Sequence, residues 1–467
     1  MGKYKYLFKN IGIMTISNFG TKILSFLMVP LYTNLLSTSE YGTYDLYQTT
    51  LFLFVPILSL NIADAIMRFS MDKNQKLEEI IGIAFRIFLK ATAVCIVLAA
   101  INYKLNIFKV FNSYIHFFCI YFAVSLLFDI LSQFARGTEK ILDVGVAGII
   151  SSVTMLASNI LFLVYFHMGL TGYFLANCLA YILSDVYLFI RLKIWKYIKV
   201  QNINKEVQKE MVKYSVPMGL GNIGWWINNV SDRYIVTWIC GVGVNGIYSV
   251  AYKIPSLLSM FQQIFNQAWT ISAVKEYDSN KNEFYSNVYN CYNIGMILTC
   301  SVLILFDKLI AKILFGKGFY LAWQYAPFLM ISVVFGALVQ LLGGIFAATK
   351  ESVVFGKTIM IGAVINTILN VVLVYCMGAI GAAVATSVSY MIIWAIRLRE
   401  IYKRMELNIN LKKDIFAYII LYVQAIGLII SNSFLKESIL IQIVSLLILI
   451  LIYFRTIKKY LMRILKR

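Results

Sequence analysis

The stretch NFGTKILSFLMVPLYTNLL, Asn18 to Leu36, reads as a membrane-spanning helix with one residue against it: Lys22, near its middle. A lysine at the centre of a bilayer helix costs about 2.5–3.5 kcal/mol on insertion scales. A charge retained at that depth marks a group that meets water, a partner or a passenger rather than lipid.

The surrounding chain has the same character. Of its 467 residues 60% are hydrophobic and only 14% charged, with a mean hydropathy of +0.76. A water-soluble domain carries far more charge. The apolar runs predict an all-α polytopic membrane protein of about fourteen helices. The expected spans lie near 11–35, 43–66, 80–102, 113–134, 143–166 and 170–190. A second set falls near 214–239, 246–271, 285–306, 321–346, 353–376 and 379–396, and two more near 414–433 and 437–455. No stretch remains for a soluble catalytic domain, and the N-terminal apolar run reads as an uncleaved first span.

Basic residues test this map, because they collect in cytoplasmic loops. Three clusters, Arg191 to Lys213, Arg397 to Lys413 and Arg455 to Arg467, share one side only if the intervening spans are even in number. Both termini are then cytoplasmic. The net charge of +20 follows from topology and an anionic inner leaflet, with no need for nucleic acid. The seven cysteines form no CxxC pair and read as packing residues. The two histidines stand apart from any Cys, Asp or Glu cluster, so neither a metal nor another cofactor is expected.

The chain also repeats itself. A shift of 204 residues places Asn18 and Gly20 on Asn222 and Gly224, and the expected turn Tyr41-Gly42-Thr43-Tyr44 on Asn245-Gly246-Ile247-Tyr248. A shift of 209 places GLTGYFLA, Gly169 to Ala176, on GAIGAAVA, Gly378 to Ala385, with Tyr181 on Tyr390. Two parallel six-helix repeats follow: an N-lobe over 1–200, a C-lobe over 201–405, and a two-helix extension with a basic tail over 406–467. A midplane cavity between such repeats is the usual transporter arrangement. Pro30, Pro56, Pro217 and Pro255 concentrate in the first two helices of the halves and read as hinges.

Intramembrane charges then nominate a site. Lys22 continues a polar stripe with Asn18 and Ser25; Arg233 continues one with Asn222 and Asn229; Lys253 lies with Ser256 and Gln263. Arg68 would guard the cytoplasmic mouth. Surplus positive charge suits an anion, above all a diphosphate. Internal neutralisation by Asp232 is the competing reading. Asp129, Asp185 and Asp232 are candidates for ion coupling, while Arg86 and Lys90 read as snorkelling or pairing with Asp64 or Asp129. Two motifs carry no such weight. Gly219 to Gly224 fits G-x-G-x-x-G but follows no strand, and Asn229-Val230-Ser231 fits a glycosylation acceptor but lies within a span.

The pattern Asn18-x-Gly20 with Val29-Pro30-Leu31-Tyr32-Thr33-Asn34-Leu35-Leu36, followed by Glu40-Tyr41-Gly42-Thr43-Tyr44, resembles the Wzx-like oligosaccharide flippases of the MOP superfamily. The resemblance implies a non-enzymatic transporter of the bacterial inner membrane. Its substrate would be an undecaprenyl-diphosphate-linked oligosaccharide, such as an O-antigen or capsule repeat unit, moved outward by alternating access. Membrane lipids are its surroundings, and the polysaccharide polymerase and glycosyltransferases of the same pathway its implied partners. A lipid II flippase is the nearest alternative. Multidrug antiporters of the superfamily carry a carboxylate in the first helix, where this chain has Lys22. A membrane polysaccharide polymerase or ligase would need a large external loop with catalytic groups, and the longest external segment, 306–321, offers only Asp307.

Overall fold

The computed structural model describes residues 26–72, 74–198, 204–275, 281–349, 351–430 and 435–465. Among them the secondary structure is wholly helical, as lipid demands of segments that must satisfy their own backbone hydrogen bonds. Ten helices are long and apolar enough to cross a membrane, eleven if one bent pair counts as a single span. Fourteen spans were expected. The first lies mostly outside the described residues, and those near 214–239 and 246–271 are helical but each is interrupted by a break.

The chain forms two compact units, Met1–Trp226 and Ile227–Arg467. In the first, α1 (Val29–Leu35) leads to α2 (Thr38–Leu58), α3 (Ile62–Ser70), α4 (Leu77–Leu105), α5 (Ile115–Gly137), α6 (Ile141–Asn159, prolonged by a π turn to Tyr165) and α7 (Gly169–Arg191). Most of α8 (Lys205–Asn229) completes it. Tyr41-Gly42-Thr43-Tyr44, expected as a turn, lies inside α2. A capping box explains why: Ser37 accepts from the amide of Glu40, whose carboxylate accepts from the amide of Ser37, so the helix already starts at Thr38. Its repeat is helical too, with Gly42 and Gly246 each the buried fifth residue of its helix. Between α2 and α3 the chain bends by 58°. Leu60 and Asn61 take left-handed backbone angles there, and the Asn61 amide donates to the Pro56 carbonyl. Ser215 of α8 donates to the Leu60 carbonyl at 2.7 Å, and Gly219 faces Asn61, so α8 clasps the bend.

The second unit comprises the end of α8, then α9 (Asp232–Cys240), α10 (Val242–Ala251), α11 (Lys253–Lys275), α12 (Lys281–Leu314), α13 (Ala326–Ala348), α14 (Ser352–Met377), α15 (Ala379–Tyr402), α16 (Leu411–Ile430) and α17 (Leu435–Leu465). Its packing copies the first. In one unit α5 contacts α3, α4 and α7, and α6 lies on α7; in the other α13 contacts α11, α12 and α15, and α14 lies on α15. The glycines aligned in sequence share their geometry. Gly169 and Gly378 both have positive φ, +53° and +63°. Three residues later each copy packs against the end of the preceding helix. A Cβ on Gly172 would stand 2.9 Å from that of Phe162, and one on Gly381 would collide with the Leu373 carbonyl.

The C-terminal pair, expected as an extension, is built into the second unit. Gln424 donates to the Ser301 carbonyl at 3.0 Å, Gln442 to the Gln424 carbonyl at 3.1 Å, Tyr418 to Asn293 at 2.9 Å and Tyr453 to Asp414 at 2.8 Å. Hydrogen bonds between buried polar groups thus tie α16 to α12 and α17 to α16.

Candidate functional site

A helix break assembles the charged group of the second unit. The helical run of α8 stops at Asn229 and restarts at Asp232, whose carboxylate suits a helix N-terminus. Asp232 is 2% exposed. It accepts from the Tyr248 hydroxyl at 2.6 Å, the Tyr252 hydroxyl at 2.7 Å and the Arg233 amide at 2.9 Å. The two tyrosines stand four residues apart on one face of α10 and its exit, so one carboxylate receives both. The Arg233 guanidinium lies 5.0 Å over the Tyr252 ring and attracts Asp232 electrostatically. Lys253, half-buried, opens α11 directly after Tyr252. Arg233 therefore adjoins a buried acid that already has hydroxyl and amide donors, and Lys253 follows one of those donors, Tyr252, in the chain.

Asn229 accepts from the Tyr390 hydroxyl at 2.6 Å, and Asn228 donates to the Ile359 carbonyl at 3.2 Å, which ties this break to α15 and α14. Ser256 returns its hydroxyl to the Lys253 carbonyl within its own helix, and Gln263 is exposed on α11. Asn222, expected on one stripe with Asn229 and Arg233, belongs to the first unit. It donates to Asn61 at 3.2 Å, and Asn61 in turn donates to Asp64 at 2.7 Å. Arg68 is exposed in the last turn of α3. Lys22, Asn18 and Ser25 lie outside the described residues.

Asp129 and Asp185 occur together in the first unit, on α5 and α7, while Asp232 stands in the second. No ion pair joins Arg86 or Lys90 to Asp64 or Asp129 among the described residues, so the pairing expected for them is absent there. Of the prolines, Pro56 and Pro217 lie inside continuous helices, and Pro56 sits just before the 58° bend. Pro30 and Pro255 instead occupy first turns, after breaks at Met28 and Tyr252, where a missing amide costs no helical hydrogen bond.

Sequence reasoning missed Tyr248 and Tyr252, although their four-residue spacing opposite an intramembrane aspartate was visible. It also placed Arg397 in a solvated cluster. Arg397 is 1% exposed. It donates to Thr358 at 2.9 Å, to the Val339 carbonyl at 2.7 Å and to the Phe355 carbonyl at 3.3 Å, with its guanidinium 4.5 Å over the Phe355 ring. It clamps α13, α14 and α15 without a carboxylate.

A family model described as "Polysaccharide biosynthesis protein" matches residues 7–270, over half of the chain. The chain belongs to that family. Among curated relatives, the probable low-salt glycan biosynthesis flippase Agl15 of Haloferax volcanii is 27% identical over 184 residues, 38% of either chain. The probable lipid II flippase MurJ of Thermotoga maritima is 27% identical over 175 residues, 34% of this chain and 36% of its own. These matches span little more than a third of each relative. Among solved structures, a lipid II flippase MurJ in an inward closed conformation aligns with a TM-score of 0.72, covering 95% of this chain and 98% of that one at 15% identity. An inward-facing multidrug resistance MATE transporter of the MOP superfamily aligns with a TM-score of 0.64, covering 82% and 95% at 12% identity. The fold of this polysaccharide biosynthesis family member is thus the one shared by MurJ and MATE transporters, and the chain is a multi-pass membrane protein.

Proposed function

We propose that the protein is a flippase of the cytoplasmic membrane. It moves undecaprenyl-diphosphate-linked oligosaccharide repeat units from the inner to the outer leaflet by alternating access, with both termini on the cytoplasmic side, and serves surface polysaccharide biosynthesis. The family match carries this reading, and the setting of Arg233 and Lys253 supports it. A diphosphate headgroup cannot enter hydrocarbon without replacement of its hydration shell, and guanidinium and ammonium groups are suited to provide it. Lys22, Asn18 and Ser25 of the first span, with Arg68, belong to the same proposal.

The MurJ-like fold favours one second reading, a lipid II flippase. Depletion of the protein in cells, followed by leaflet-accessibility labelling of lipid-linked glycans, separates the two. Loss of outward labelling of the polysaccharide precursor with unchanged lipid II supports the first; the reverse supports the second. Unchanged labelling of both would refute transport. In matched expression, Lys22→Gln and Arg233→Gln each lower export about ten- to hundredfold, as loss of a charge-assisted hydrogen bond of about 1.5–3 kcal/mol implies.

A further inference from the structure

The first unit holds ionisable groups that carriage of a diphosphate leaves unused. Ser125, Asp129, Ser132 and Arg136 follow one another along α5 at spacings of four, three and four residues, hence on one face. Packed on it, α7 presents Asn177, Tyr181 and Asp185 at four-residue steps. Asp185 is 4% exposed, and neither of its carboxylate oxygens has a hydrogen-bond partner. It interacts electrostatically with Asp129, whose side chain is exposed. An aspartate exposed within a span must meet water or a ligand, because lipid cannot solvate it.

The groups facing this pair come from three helices. The third helix supplies Asp64, α5 itself Arg136, and α7 Tyr181, while α2, α4 and α6 place no charged group against it among the described residues. The Tyr181 ring packs on that of Tyr121 at 5.6 Å between centroids. Tyr121 donates to Gln48 at 2.6 Å, and the single Tyr44 hydroxyl proton is within reach of two acceptors, Asn177 at 3.1 Å and Gln48 at 3.3 Å. A run of hydroxyl and amide groups therefore leads from Tyr181, one helical turn before Asp185, to the second turn of α2.

An uncompensated carboxylate buried in this way costs several kcal/mol, and two facing carboxylates repel. One proton bound by Asp185 removes both penalties. A metal ion fits less well, since among the described residues no group of three or more His, Cys, Asp or Glu side chains could hold one. We propose that Asp185 and Asp129 form a proton-binding site within the first unit. Asp185 stores the proton; its O–H bond breaks by transfer to a water molecule, which passes a proton on to Asp129, and Asp129 exchanges it with bulk water, so no other reactant is consumed. The use of this site in coupling rests on the transport reading, whereas its existence does not.

The test is infrared spectroscopy of the full-length protein in nanodiscs across a pH titration. Wild type shows a titrating carbonyl stretch of a protonated carboxylic acid that disappears in Asp185→Asn. Hydrogen–deuterium exchange of that band slows at least tenfold in Asp129→Asn. Asp185→Glu keeps the band at a shifted frequency, which serves as the readout should the asparagine variant fail to fold. A band and titration unchanged in Asp185→Asn, or unshifted in Asp185→Glu, would overturn the proposal. Glycan labelling in cells is scored separately, so failure of the flippase reading appears there and not in this spectrum.

Discussion

A single buried acid organises its surroundings most tightly at Asp232. Each tyrosine hydroxyl that reaches it is a charge-assisted donor, worth about 1.5–3 kcal/mol. Tyr248→Phe should therefore lower stability by about 2 kcal/mol, with Tyr252→Phe close behind; thermal unfolding in detergent measures both. The pair will not add, because both hydroxyls serve one oxygen and the survivor is free to adjust. Arg397 poses the opposite case, a cation held by neutral acceptors. Arg397→Ala removes the donors to the Thr358 hydroxyl and to the Val339 and Phe355 carbonyls and opens space beside Gly343, whose absent side chain makes room for the guanidinium. A loss of about 2–3 kcal/mol is expected. A melting temperature equal to that of wild type would show that Arg397 does not clamp its three helices.

Helix starts and crossings depend on backbone shape, and here the internal duplication makes predictions in pairs. Gly381→Ala drives a methyl group into the Leu373 backbone and should cost about 3 kcal/mol, whereas Gly172→Ala meets the Phe162 Cβ and carbonyl at looser distances and should cost less. Comparing the two melting curves checks the order. Much of this was legible in the sequence: the apolar runs gave the helices, and the GLTGYFLA and GAIGAAVA repeat pointed to two matching helix entries. Other features were not. Tyr41-Gly42 looked like a turn because glycine and tyrosine fit one, but the Ser37–Glu40 capping box overrides that preference with two hydrogen bonds. Asn222 and Asn229 do lie seven residues apart on the one helix α8, but helical spacing is blind to the break after Asn229 and to the unit boundary between the two. Arg397 looked solvated because a basic cluster in sequence says nothing about which member turns inward. The proximity of Asp129 to Asp185 was beyond reach for a similar reason, since it depends on how α5 crosses α7.

For the whole molecule, the question is whether α16 and α17 are an appendage to a twelve-helix transporter or part of its second unit. Composition favoured an appendage, because these helices follow the second repeat and have no counterpart after the first. Their buried polar contacts argue otherwise. Removing residues 406–467 would strip the Ser301 carbonyl and Asn293 of the donors that Gln424 and Tyr418 provide, and would uncover the α12 face that contacts both helices. Each hydrogen bond lost in this way contributes about 0.5–1.5 kcal/mol. Two such losses, added to lost packing, take up a large share of the 5–15 kcal/mol typical of a folded domain. The truncated chain should therefore give little monodisperse protein in detergent. Gln442→Ala, which removes one bond to the Gln424 carbonyl and leaves both helices in place, should cost only about 1 kcal/mol. Size-exclusion profiles and melting temperatures of the two variants decide the matter. A truncated protein as monodisperse and thermostable as wild type would make the pair an appendage after all, whereas its collapse beside a mildly weakened Gln442→Ala would place the pair within the folding unit that carries Asp232, Arg233 and Lys253.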